Sequence, residues 1–179
     1  MVTAARKLGY ADYEKIPADE FRHEIIQGEE YMTPAPYPDH QTVLLELGRL
    51  IGNHAAKHKL GRVFVAPTAV VLSRHDIVQP DAFFIRKARV SIIGKKNIKG
   101  PPDLVIEVTS LITGSIDRGP KPALYARSGV REYWLVDLSA QTVEVHEFGK
   151  VRRVRIYKEG QSFESALLPG LTVRLDDIF

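Results

Sequence analysis

The stretch V-Q-P-D-A-F-F-I, residues 78–85, and the run P-D-L-V-I-E-V, residues 102–108, decide how this chain is read. Both are apolar runs of strand length, and both carry carboxylates that a buried strand ordinarily lacks. In the first, Pro80 removes a ladder donor and Asp81 is a poor strand former. One reading is an edge strand or bulge with a solvated carboxylate; the other is an acid held in place for chemistry. In the second, side chains alternate faces. Leu104, Ile106 and Val108 therefore share one side, suited to packing on a helix, while Asp103, Val105, Glu107 and Thr109 share the other. An isolated buried carboxylate is expensive, so Glu107 requires a positive partner. If the two runs pair, the ~4.8 Å strand spacing brings Asp81 and Glu107 together. Two ionised carboxylates ~5 Å apart at an effective dielectric of ~20 repel by roughly 3 kcal/mol, a cost that a divalent cation between them would reverse. Oxygen ligands favour magnesium or manganese over structural zinc. A carboxylate that faces water, or pairs with an arginine, fits the sequence equally well.

Outward from these runs, Y-A-D-Y-E-K-I-P-A-D-E predicts a short helix closed before Pro17. R-H-E-I-I-Q and E-Y-M-T predict a β-hairpin turning at Gly28 and Glu29. From His40 to Leu60 the apolar residues Val43, Leu47, Leu50, Ile51 and Ala55 recur at helical spacing, with Asp39 able to cap the start and Gly61 the end. R-V-F-V-A, T-A-V-V-L-S, I-V-Q-P-D-A-F-F-I and P-D-L-V-I-E-V-T-S follow as strands. Residues 120–128 form a short helix entered through Pro120 and ended at Gly129. E-Y-W-L-V-D, T-V-E-V-H-E-F and V-R-R-V-R-I-Y-K are three further strands, and P-G-L-T-V-R-L-D-D-I-F closes the chain with a short strand and a helical turn. This order predicts one α/β domain over residues 1–179, with a central mixed β-sheet flanked by helices.

Composition narrows the chemistry. The 179 residues include no cysteine, which removes disulfides, thiolate metal sites and a cysteine nucleophile together. No apolar run reaches the ~18 residues of a membrane span, and the N-terminus lacks a signal peptide's apolar core, so a cytoplasmic protein is expected. Arg86, Lys87, Arg89, Lys95, Lys96 and Lys99 fall within residues 82–102, where no acid occurs. That concentration suits a polyanionic partner or a solvated basic loop. Lys150, Arg152, Arg153 and Arg155 form a second basic group that could meet DNA or line an outward strand face. No GxGxxG, Walker-type loop or GxSxG elbow is present, which takes the support from nucleotide-binding and serine-hydrolase readings.

Lys121 lies in the first turn of the predicted helix, where the dipole disfavours a cation, so it too needs a partner. Glu107 or a phosphate is available, and a lysine beside two carboxylates and a metal can orient water and stabilise charge in phosphodiester hydrolysis. The plainer alternative is a weak surface pair with Asp117, four residues earlier. His54 and His58, also four apart, could bind metal, but without a third ligand nearby a polar helix face is the simpler reading. Tyr133 and Trp134 suit a strand in the core.

R-H-E-I-I-Q-G-E-E-Y, T-P-A-P-Y-P-D-H ending in His40, V-V-L-S, V-Q-P-D-A-F-F-I, P-P-D-L-V-I-E-V-T-S, D-R-G-P-K and Y-A-R-S-G-V-R-E-Y-W-L-V-D stand in that order. Together they resemble the Uma-two restriction-endonuclease family, itself similar to the PD-(D/E)xK nuclease superfamily, from about residue 10 to 179. The resemblance implies a restriction-endonuclease-like fold and a magnesium- or manganese-dependent nuclease acting on DNA. It implies Asp81 and Glu107 as metal-binding acids, Glu24 as a third, Lys121 as the catalytic lysine and His40 as a matching histidine at the start of the long helix; His40, Asp103 and Asp117 are the candidate supporting residues. Thr109 stands where the superfamily's usual motif has lysine. Arg86, Lys87, Lys95, Lys96, Lys99, Arg152 and Arg153 would contact phosphates, and a homodimer is expected by analogy. Two departures are visible. S-L-I-T replaces the family's usual Ser-Pro-Ser-Thr after the second acid, and Lys121 lies between two prolines. They favour an alternative, a nucleic-acid-binding module of this fold that no longer cleaves.

Overall fold

The computed structural model describes residues 6–109 and 114–179. Ser110, the expected end of one strand, and the rest of S-L-I-T lie outside the described residues. A short helix α1 (Tyr10–Tyr13) leads to the hairpin β1 (Arg22–Ile26) and β2 (Glu29–Thr33), then to the long helix α2 (Pro38–Lys57). Next come β3 (Gly61–Val65), β4 (Val70–Ser73), β5 (Asp76–Val78), β6 (Ala82–Arg86), a 3-10 turn (Lys87–Ile92), β7 (Ile98–Lys99) and β8 (Leu104–Thr109). Helices α3 (Gly114–Arg118) and α4 (Pro120–Ser128) precede β9 (Glu132–Asp137), β10 (Thr142–Phe148) and β11 (Arg152–Lys158). The hairpin β12 (Ser162–Glu164) and β13 (Thr172–Arg174) and a last 3-10 turn (Leu175–Asp177) finish the fold.

Two mixed sheets carry the architecture. One has the order β2-β1-β5-β4-β7, the other β11-β10-β9-β8-β6-β3, and each contains a single parallel pair, β4 with β7 and β8 with β9. The alternation read in residues 103–109 sorts the core as expected. Leu104, Ile106 and Val108 pack with Val43, Leu47 and Ile51 of α2 and with Trp134. On the other face Val105 packs with Leu124 and Tyr125 of α4 and with Val70 and Val78 of the smaller sheet. The larger sheet is thus covered by α2 on one side and by α4 and the smaller sheet on the other. Trp134 is fully buried, with its indole N–H donated to Glu132. Its replacement by alanine should destabilise the chain by about 3–5 kcal/mol, measurable by urea unfolding.

Four local expectations are corrected. Residues 77–85 are not one strand: β5 ends at Val78 and β6 begins at Ala82, and the two belong to different sheets. Pro80 and Asp81 form the corner between them, where a missing donor costs no ladder bond. Helix α2 starts two residues earlier than Asp39 would set it, with Pro38 at its first position and Tyr37 before it. Gly61 opens β3 instead of capping α2, and a Cβ there would lie 2.1 Å from the Ile85 carbonyl, so the close strand approach requires glycine. The hairpin turns at Gln27 and Gly28, both with positive φ, pairing Ile26 with Glu29. That register puts Arg22, Glu24 and Ile26 on one face of β1.

Candidate active site

The seam between the sheets gathers side chains from five segments. Glu24 comes from β1, Asp81 from the corner between β5 and β6, Glu107 from β8, Asp117 from α3 and Lys121 from the first turn of α4. All five are buried. The Lys121 Nζ lies 2.9 Å from Glu24 Oε2, 3.0 Å from Glu107 Oε1 and 3.1 Å from Asp117 Oδ1. The Asp117 to Lys121 pair expected at the surface is therefore made, but in the interior. The three carboxylates also account for a cation at a helix N-terminus, where the dipole alone would oppose it. Lys121 is held in its charged form: burial works against the charge, and Glu107, Glu24 and Asp117 outweigh it.

Asp81 is held by a different set. Its Oδ1 accepts from Arg22 at 2.6 Å, and its Oδ2 accepts from the Val108 amide at 2.8 Å and meets His40 Nε2 at 3.1 Å. Burial acts to raise its pKa, but His40, the Arg22 guanidinium and the Val108 amide bring it down to about 2. Glu107 goes the other way, pushed up to about 8. Burial dominates, and the nearby Asp81, Asp117 and Glu24 charges add to it against Lys121. Tyr125, one helical turn after Lys121, donates its hydroxyl to Glu107 Oε1. Glu24 is oriented by the Gln79 amide, 2.7 Å from its Oε1. Among the described residues the buried Nδ1 of His40 has no hydrogen-bond partner.

These opposite shifts give a pH signature. Folded Glu107 binds its proton more tightly than its ordinary value of 4.5 allows, so folding takes up a proton between pH 4.5 and about 8 and stability falls as pH rises through that window. Asp81 contributes stability above its ordinary 3.8 that is lost as pH falls towards about 2. Denaturant midpoints measured from pH 5 to 8 should decline in the native chain, and Glu107→Gln should flatten the decline.

Two cavities meet at this seam. An open cleft of about 420 Å³ is lined by Phe21, Arg22, Pro36, His40, Pro67 and Asp81 among others. A chamber of about 10 Å³, room for about one water-sized species, is lined by Arg22, Glu24, Asp81, Glu107, Asp117 and Lys121 with Thr33, Val108 and Ile116. Oxygen donors and an excess of four carboxyls over two permanent cations suit a hard divalent ion in charge and ligand type. The described acids do not, however, form a ready cage of three around one free point. Lys121 stands where three of them converge, and Arg22 occupies the fourth.

Other expected residues lie elsewhere. Asp103, at the opposite end of β8 from Glu107, accepts from the Arg86 amide and from Arg86 Nε at 2.8 Å and pairs with Arg89 at 3.1 Å, so it does not join the acids. Arg86 is thereby tied to Asp103. Arg152 pairs across the hairpin with Phe148 and Arg153 with Glu147, and Glu147 continues through Glu132 to Leu104, again the far end of the sheet from Glu107. Lys87, Lys95, Lys96 and Lys99 are exposed. Among the described residues, Arg22 and Lys121 are the only lysine or arginine side chains lining the two cavities. His54 donates from Nε2 to the Pro169 carbonyl at 3.1 Å, and its ring packs on His58, in keeping with a polar helix face. Tyr133 and Trp134 are core residues. Sequence reasoning missed Arg22 and Tyr125. The signals were present: Arg22 shares the Glu24 face of its strand, and Tyr125 is four residues after Lys121 on a helix.

A buried acid and lysine cluster at the joint of two mixed sheets, with helices on the outer faces, defines a restriction-endonuclease-like α/β fold. A crystal structure described as that of "a putative nuclease belonging to DUF820" from Anabaena variabilis ATCC 29413 is similar, with a TM-score of 0.80 and 20% identity, covering 96% of this chain and 97% of that one. The Uma2 family model, described as "Putative restriction endonuclease", matches residues 10–176, and the chain belongs to that family. No curated protein matches it. Among the described residues no helix is long and apolar enough to cross a membrane.

Proposed function

We propose that this chain is an endonuclease that hydrolyses DNA phosphodiester bonds with magnesium or manganese held by Asp81, Glu107 and Glu24. The carrying observation is the convergence of Lys121 with Glu107, Glu24 and Asp117 within 3.1 Å at the Asp81 corner, from separate segments of chain. When bound, the ion would supply Lewis-acid stabilisation of phosphoryl oxygen charge and a more acidic water. The chain's own residues do the rest. Asp81 stays ionised and is oriented by the Val108 amide and His40, so it is ready as a ligand. Glu107 can hold a proton at neutral pH and release it when a cation replaces that proton's charge. Lys121 keeps its charge and can orient water or stabilise the developing negative charge. The exposed lysines and arginines would contact phosphates, positioning a duplex without specifying its sequence.

Incubation of supercoiled plasmid with purified protein and magnesium or manganese tests this reading. Metal-dependent nicking that disappears in Asp81→Ala and Glu107→Ala supports it, and Lys121→Ala should slow cleavage by roughly 10²–10³-fold. DNA binding without cleavage supports the second reading, a binding module of the same fold. That reading is favoured by one observation: Arg22 and Lys121 already neutralise much of the acidic site. Sedimentation of the same sample tests the homodimer.

A further inference from the structure

Among the described residues, Arg22 and Asp81 are the only ones that line both the open cleft and the acidic chamber. Their ion pair at 2.6 Å therefore forms part of the wall between the two. The Arg22 side chain is 18% exposed while that of Asp81 is 4% exposed, so the pair has one side towards the cleft and one towards the interior. Its Nη1 also donates to the Gln79 carbonyl at 2.9 Å, fixing the guanidinium at the corner itself. On the chamber side, Lys121 is clasped by three carboxylates, and it is not among the described residues that line the cleft.

From this geometry we infer that Arg22 is a resident substitute cation: it occupies Asp81 until a divalent ion takes that oxygen, and the released guanidinium then turns into the cleft to grip a substrate phosphate. The inference rests on the nuclease reading for the identity of the phosphate, but not for the competition at Asp81. A guanidinium is suited to both places, because its planar fork matches carboxylate and phosphate alike. A cation that must be displaced weakens ion binding by its own affinity for the ligand. The same cation, once displaced, adds a phosphate contact where no other lysine or arginine among the described residues reaches the cleft wall. Arg22 thus opposes ion binding and favours cleavage, two effects of opposite sign that a merely structural arginine would not produce.

Isothermal titration with manganese chloride alone, on the native chain, Arg22→Gln and Arg22→Lys, separates them. Arg22→Gln should bind manganese at least tenfold more tightly than the native chain, while nicking plasmid at least tenfold more slowly at saturating metal. Arg22→Lys keeps the competing charge but not the fork, and should bind manganese within about threefold of the native chain while cleaving more slowly. Equal or weaker binding by a folded Arg22→Gln overturns the inference, as does native cleavage by Arg22→Lys, which decides the matter if the glutamine variant does not fold. Failure of the nuclease reading looks different: the native chain does not nick DNA, while the affinity order at Asp81 still holds.

Discussion

Lys121→Met should lower the unfolding free energy by roughly 3–5 kcal/mol, the loss expected when one partner of a buried ion cluster is removed and the other charges stay behind. The methionine fills much of the same volume, so packing contributes little to the change. What remains is Glu24, Glu107 and Asp117 converging on one place without the ammonium that all three reach within 3.1 Å. Adding Asp117→Asn to Lys121→Met should restore part of the stability, because one of the stranded carboxylates is gone; the two substitutions will not be additive. Urea unfolding of the four proteins at one pH measures both effects. A loss below about 1 kcal/mol for Lys121→Met would mean that the lysine is solvated and exchangeable like an exposed pair.

Asp81→Asn should reduce metal-dependent cleavage by at least about 10²–10³-fold while the fold survives. The substitution keeps the shape and an acceptor for the Val108 amide, but it removes the charge that Arg22 and His40 now meet. If Asp81 carries a divalent ion in the working enzyme, losing its charge forfeits several kcal/mol of ion-mediated stabilisation, and ~3–4 kcal/mol corresponds to that drop in rate. Circular dichroism should be unchanged, and manganese binding should weaken in parallel with cleavage. Cleavage at the native rate would remove Asp81 from the mechanism.

Much of this site was legible because its residues violate local rules. An acid beside a proline in an apolar run, a glutamate on the inward face of a strand and a lysine at a helix N-terminus each conflict with their surroundings, and such conflicts concentrate at functional sites. Alternation placed Glu107 opposite Leu104, Ile106 and Val108, and the core is divided along that line. Strand pairing between β6 and β8, with Ala82 opposite Ile106, brings Asp81 to the level of Glu107. What escaped was the division into two sheets. Nothing local in V-Q-P-D-A-F-F-I states that Val78 and Ala82 pair with different partners, since partner choice is a long-range property. Charge counting misled in a related way. The run from Arg86 to Lys99 is concentrated in sequence, yet Arg86 and Arg89 are turned onto Asp103, a partner revealed only when β6 lies beside β8. Arg22 shares the Glu24 face of its strand, but its partner Asp81 lies 59 residues on, and that pairing became visible only in three dimensions.

The most direct test is a crystal soaked in manganese chloride and examined by anomalous scattering. The proposed hydrolysis would require an ion ligated by Asp81 and Glu107, with the Lys121 ammonium beside it and Arg22 moved off Asp81. Crystals that take up no manganese there at millimolar concentration, and keep Arg22 on Asp81 and Lys121 on Glu107, would contradict it.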